Sequence, residues 1–208
     1  MKEQNYCRQL PAGYTQAFYL NCKDFKVGLV FTLVSLVVLV AVLALSALPL
    51  LLGAQPGYMV EFEGLQALWV MYGFMVLMLV YIVLHELVHG IFYKALTGEK
   101  LTFGISWSCA FCGVPNIYTY RRTALLSAAA PLVIFTAIML PVQIAFFFVH
   151  PLFYWMMAFI FGIHLGGCCG DGFLILLLLV RFKDPRTLMR DTGPEQFICV
   201  PGEDYNGQ

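Results

Sequence analysis

Four long apolar stretches constrain this chain more than any other feature. They run from about Val27 to Gly53, Ala67 to Leu96, Thr123 to Val149 and Leu152 to Val180, each near or above the ~20 residues a helix needs to cross a bilayer. The first and third hold no charged residue. The second carries His85, Glu86 and His89 in its interior, and the fourth carries His164 and Asp171. Only 12% of the 208 residues are charged and 61% are hydrophobic, against about 25% charged in an ordinary soluble domain. One soluble core could not hide so much apolar surface, so the bilayer must be the solvent. The first stretch is far longer than the roughly 7–15 apolar residues of a signal peptide and follows a polar lead, so it reads as a retained helix.

The basic residues give the orientation. All twelve lie in three places: Lys2, Arg8, Lys23 and Lys26 before the first helix; Lys94, Lys100, Arg121 and Arg122 around the second connection; Arg181, Lys183, Arg186 and Arg190 after the fourth. The connections at 54–66 and near His150-Pro151 hold none, and the former carries Glu61 and Glu63. Four helices place all twelve on one side, which the positive-inside rule makes the cytoplasm. The expected fold is an all-α integral membrane protein of about four transmembrane helices in one membrane domain, multi-pass in the cell membrane. Residues 1–26 and 181–208 are expected as cytoplasmic tails around a core at 27–180. Five of seven cysteines (Cys7, Cys22, Cys109, Cys112 and Cys199) then face the reducing side, which argues against a disulfide framework. A formal net charge of zero gives no reason to expect a nucleic-acid partner.

His85-Glu86-Leu87-Val88-His89 is a His-Glu-x-x-His motif. On a helix, residues four apart share a face, so both histidines can reach one zinc ion, with Glu86 placed to take a proton from the attacking water. The bland alternative is a chance match. It is unattractive inside a span, where a carboxylate at helix centre costs about 2.5–3.5 kcal/mol on insertion scales. Two histidines leave a catalytic site one protein ligand short. Apart from Glu86, Asp171 is the only carboxylate inside the four stretches. His85 lies nine residues before Lys94 and Asp171 ten before Arg181, which is about 14 and 15 Å along a helix at ~1.5 Å per residue, so both occupy one layer of the membrane.

The glycines around Asp171, in Gly166-Gly167-Cys168-Cys169-Gly170-Asp171-Gly172, would let helices approach closely enough for a short carboxylate to reach the metal. The alternative is an ordinary glycine seam with Asp171 bonded to a hydroxyl or to backbone. Cys168 and Cys169 rank below Asp171 as ligands, and His164, about 10 Å further out, reads as a hydrogen-bonded core histidine or part of a water path. In the third stretch Ser127-Ala128-Ala129-Ala130-Pro131 lies at similar depth. It reads either as a water-accessible cavity beside the metal or as a packing seam with a tolerated proline.

Between the second and third helices, Leu101–Trp107 alternates apolar with small or polar residues. Gly113-Val114-Pro115-Asn116 reads as a turn, and Ile117–Tyr120 as a second short strand. A cytoplasmic strand-like hairpin follows, either structural only or presenting an extended substrate by backbone pairing. Cys109-x-x-Cys112 reads as two reduced thiols.

The run His85–Lys94, with Phe103-Gly104 after it and Gly170-Asp171 in a later helix, resembles a bacterial family of multi-spanning zincin-type peptidases, with His85 and His89 at its ligand positions and Glu86 as base. More distantly it looks like the site-2 protease type of intramembrane metalloprotease, in which an aspartate followed by glycine, here Asp171-Gly172, completes the site. Gly-Cys-Cys-Gly replaces the context that usually precedes that aspartate. The expectation is a zinc-dependent (Zn2+) intramembrane metallopeptidase cutting peptide or transmembrane-protein substrates near the cytoplasmic face. Two readings stand beside it, a non-hydrolytic metal transporter or sensor and an inactive membrane scaffold.

Overall fold

Length and apolarity set the helices. A computed structural model describes residues 5–55, 57, 64–106 and 109–202; Lys2, Glu61, Glu63 and Trp107 lie outside them. Helices α1 (Phe25–Leu51), α2 (Leu65–Thr97) and α3 (Arg121–Val149) are each long and apolar enough to cross a membrane. The fourth stretch is a broken span made of α4 (Pro151–Gly167), α5 (Cys169–Leu176) and a π-helical turn at Leu177–Arg181. This is a multi-pass membrane protein, and every expected end falls within two residues of an observed one.

The ends have local causes. Asp24 caps α1, its Oδ1 accepting from the backbone N–H of Lys26 (2.9 Å) and Val27 (3.3 Å). Gly98, at φ +70°, ends α2 in the left-handed conformation glycine tolerates. His150 caps α4 by accepting from Leu152 N–H at 3.1 Å, with Pro151 in the first turn, where no N–H is needed. α3 runs through the buried Pro131 without a break.

The expected hairpin between α2 and α3 is present with a different partner strand. β3 (Thr102–Ile105) pairs antiparallel with β4 (Ala110–Gly113), not with Ile117–Tyr120. Val114 to Asn116 makes the expected turn. β5 (Tyr118–Tyr120) beyond it joins a second sheet that the sequence analysis did not read. Its other strands are β1 (Tyr6–Cys7), β2 (Tyr14–Asn21), β6 (Leu188–Asp191) and β7 (Glu195–Pro201), in the order β1-β5-β6-β7-β2. The segments expected as tails are therefore paired to each other, β2 along β7 from Tyr14–Pro201 to Asn21–Glu195.

The chain divides into two compact units, one of Met1–Val30, His85–Pro131 and Gly170–Gln208, the other of Phe31–Leu84 and Leu132–Cys169. In the first, Met189 and Ile198 of the sheet pack with Ala124 and Ala128 of α3 and with Leu174, Leu178 and Phe182. In the second, Val42, Tyr81, Met139, Ile160 and Phe161 form the core. There Gly166 lies so close to α1 that a β-carbon would stand 2.8 Å from the Ser35 carbonyl, and Ser35 Oγ donates to Gly166 O at 2.6 Å.

Asp191 ends β6 almost fully buried. Burial pushes its carboxyl up to about 6, against the opposing pull of the Gly193 N–H and the Tyr93 hydroxyl that donate to it. Since the folded value lies above the ordinary 3.8, folding takes up a proton. The stabilisation is complete below about pH 4 and is lost as pH rises through 6, on the order of 3 kcal/mol in all. The thermal midpoint of wild type should therefore fall relative to Asp191→Asn between pH 4 and 7. Parallel curves for the two proteins in detergent would contradict this.

Candidate metal centre

The helical spacing of the motif does what it requires. His85 and His89, one turn apart on α2, stand edge to face with ring centroids 5.1 Å apart, and both are buried. α5 brings Asp171 to them, its Oδ2 lying 3.4 Å from His85 Nε2 and 3.3 Å from His89 Nε2. One donor atom from each of the three residues falls within 4.8 Å of the others. The shared layer expected from residue counting is where these groups meet, and all three belong to the same unit of the chain.

The distances suit a metal cage. Charge-assisted N–H···O bonds are about 2.7–2.9 Å long, shorter than either contact here. Two ligands at ~2.0–2.1 Å from a tetrahedral zinc stand about 3.3 Å apart, by simple geometry. Two imidazoles and a carboxylate are also a donor set that zinc accepts. The tautomer agrees: His89 Nδ1 lies 2.8 Å from the Ser127 carbonyl of α3, which can only accept. Nδ1 therefore carries a proton, and Nε2, the nitrogen left for a metal, faces Asp171. A carbonyl behind a histidine in this way is the usual outer support of a metal ligand. The residues present fit a divalent metal.

Glu86 follows His85 around the helix and is half-buried. The side chains of His85, His89 and Asp171 keep 10%, 9% and 19% of their surface. Close packing was expected at the glycines beside Asp171, but a β-carbon at Gly170 or Gly172 would meet nothing within 4 Å. Gly166 alone of this run makes the close approach, to α1. A carboxylate two bonds from its helix reaches the histidines without a glycine seam at its own position.

His164 is fully buried, with the Tyr81 hydroxyl 2.7 Å from Nδ1 and the Thr136 hydroxyl 3.1 Å from Nε2, the environment of a hydrogen-bonded core histidine. Cys168 Sγ lies 3.7 Å from His164 Nδ1, and Cys169 Sγ donates to Leu165 O at 3.9 Å. None of the seven cysteines is in a disulfide, and burial pushes the Cys112 thiol up to about 12, which favours its protonated form.

Sequence reasoning missed the Ser127 carbonyl behind His89 and the Tyr93–Asp191 hydrogen bond one turn further along α2. Tyr93 could have been found, since it lies one turn beyond His89 on the same face. Nothing in the sequence pointed to Asp191.

No curated protein and no solved structure matches this chain. A family model described as "Putative zincin peptidase" matches residues 78–185, just over half of the chain. The matched segment spans the motif, the hairpin, α3 and Asp171. The protein belongs to that family, DUF3267.

Proposed function

We propose that this protein is a zinc-dependent intramembrane metallopeptidase, with His85, His89 and Asp171 as metal ligands and Glu86 as general base. The observation that carries the reading is the convergence of Asp171 Oδ2 on both histidine Nε2 atoms at 3.3 and 3.4 Å. When bound, zinc supplies a Lewis acid that polarises the scissile carbonyl and makes water acidic enough to deprotonate near neutral pH. Glu86 takes that proton and returns it to the leaving amine. Asp171 neutralises part of the charge gathered at the site, and Ser127 O holds the His89 ring in its ligating tautomer.

The substrate reading rests on the hairpin. β3 pairs with β4 along one edge, and Phe103 and Ile105 are exposed. An extended peptide can add to such a strand by backbone pairing, as many peptide-binding sheets allow. The basic residues at one end of the helices make that end cytoplasmic under the positive-inside rule, which puts cleavage near the cytoplasmic face.

Metal analysis of the detergent-purified protein should find about one zinc per chain, with strong loss in His85→Ala and in Asp171→Ala; full occupancy of Asp171→Ala would remove the aspartate from the ligand set. Glu86→Gln should keep its zinc and lose about 10²–10⁴-fold in turnover of a panel of transmembrane peptides. Equal turnover by wild type and Glu86→Gln would end the peptidase reading. Retained zinc would then favour a transporter or sensor.

A further inference from the structure

Three close approaches join α2, the hairpin and the turn after β6. On α2, Gly90 follows His89 directly, and a β-carbon there would stand 2.7 Å from the Phe103 ring of β3 and 3.1 Å from Leu101 Cδ1. On β4, a β-carbon at Gly113 would overlap the backbone nitrogen of Gly193 and stand 2.9 Å from the Asp191 carbonyl. Gly193 has φ +99°, and a side chain there would overlap the Phe111 ring. The third approach is polar: the Tyr93 hydroxyl donates to Asp191 Oδ2 at 2.8 Å, and Val114 N–H donates to the Asp191 carbonyl at 2.8 Å. The hairpin rests on α2, the turn rests on the hairpin, and α2 is bonded back to the turn. The Tyr93–Asp191 bond closes the triangle.

The chemistry of that bond favours position over stability. Tyr93 lies among Val114, Ile117 and Leu101, where an apolar pair of similar volume would avoid the cost of burying a carboxylate. A buried hydrogen bond instead specifies a single orientation. Tyr93 is eight residues from His85 and four from His89, so the orientation it fixes is that of the metal-facing side of α2.

We propose that Tyr93 and Asp191 are positioning residues whose hydrogen bond holds the β3–β4 hairpin against the metal-facing side of α2, so that the C-terminal strands set where an extended peptide meets the metal. The peptide part rests on the peptidase reading above; the hairpin part does not.

The test uses the full-length protein in detergent, with amide hydrogen exchange of β3 and β4 and zinc content measured on the same samples. Tyr93→Phe and Asp191→Ala should each exchange about tenfold faster across the hairpin, the scale of one lost buried hydrogen bond, with exchange in α1 and zinc per chain unchanged. Asp191→Asn should restore slow exchange, since its amide can accept from Gly193 N–H and donate to the Tyr93 hydroxyl. Unchanged hairpin exchange in both disruptive variants overturns the proposal, as does failure of Asp191→Asn to restore it. Zinc lost from Tyr93→Phe also overturns it, by making Tyr93 a support of the metal cage. A wild type without zinc would sink the peptidase reading and with it the peptide part, while the exchange results still decide the hairpin part.

Discussion

Three ionisable side chains within five residues of an apolar helix are the constraint on which the rest of the structure depends. Each carries a desolvation cost in lipid, and α2 cannot compensate them from its own backbone, because every interior carbonyl and N–H is already used. Compensation has to come from other segments. α5 supplies Asp171, a carboxylate facing both histidines, and α3 supplies the Ser127 carbonyl behind His89. Neither partner is near the motif in sequence, so the fold must bring the start of α3 and the far half of a broken fourth span to one turn of α2.

That requirement explains which features could be read from the sequence. The spans were legible because a bilayer demands a run of ~20 apolar residues, a signal that survives any arrangement of the helices. Asp171 was legible because the same solvent makes an intramembrane carboxylate conspicuous, and counting from the basic residues fixes its depth. The hairpin was half legible: alternation marked β3, but β4, Ala110–Gly113, is small and mixed, while Ile117–Tyr120 looks more like a strand and pairs elsewhere. The larger sheet was not legible. Its pairings join the two ends of the chain, with Tyr14 opposite Pro201; no local turn links β2 to β7, and strands take their stability from the face they cover. The expectation of glycine packing at Asp171 placed a true signal on the wrong contact. Gly166 does make a close approach, and it serves α1.

The sheet also answers how α5 is aimed. Between helices in lipid there is little hydrophobic driving force, because lipid tails are as apolar as leucine. A helix as short as α5 needs another source of orientation. Leu174 and Leu178 follow Asp171 by three and seven residues, on the same helical face, and both are buried with Met189 and Ile198 of the sheet and with Ala124 and Ala128 of α3. Water beyond the membrane end supplies the hydrophobic effect that the bilayer cannot. The alanines let α3 lie close, which also brings the Ser127 carbonyl to His89. Arg121 Nε donates to Leu178 O at 2.8 Å, satisfying a carbonyl in the π-helical turn, where the regular α-helical bonding pattern is interrupted. The residues expected as cytoplasmic tails therefore bear on the geometry of the proposed metal centre. By burying two leucines they set the rotation of α5, and that rotation decides whether Asp171 faces the histidines or the lipid.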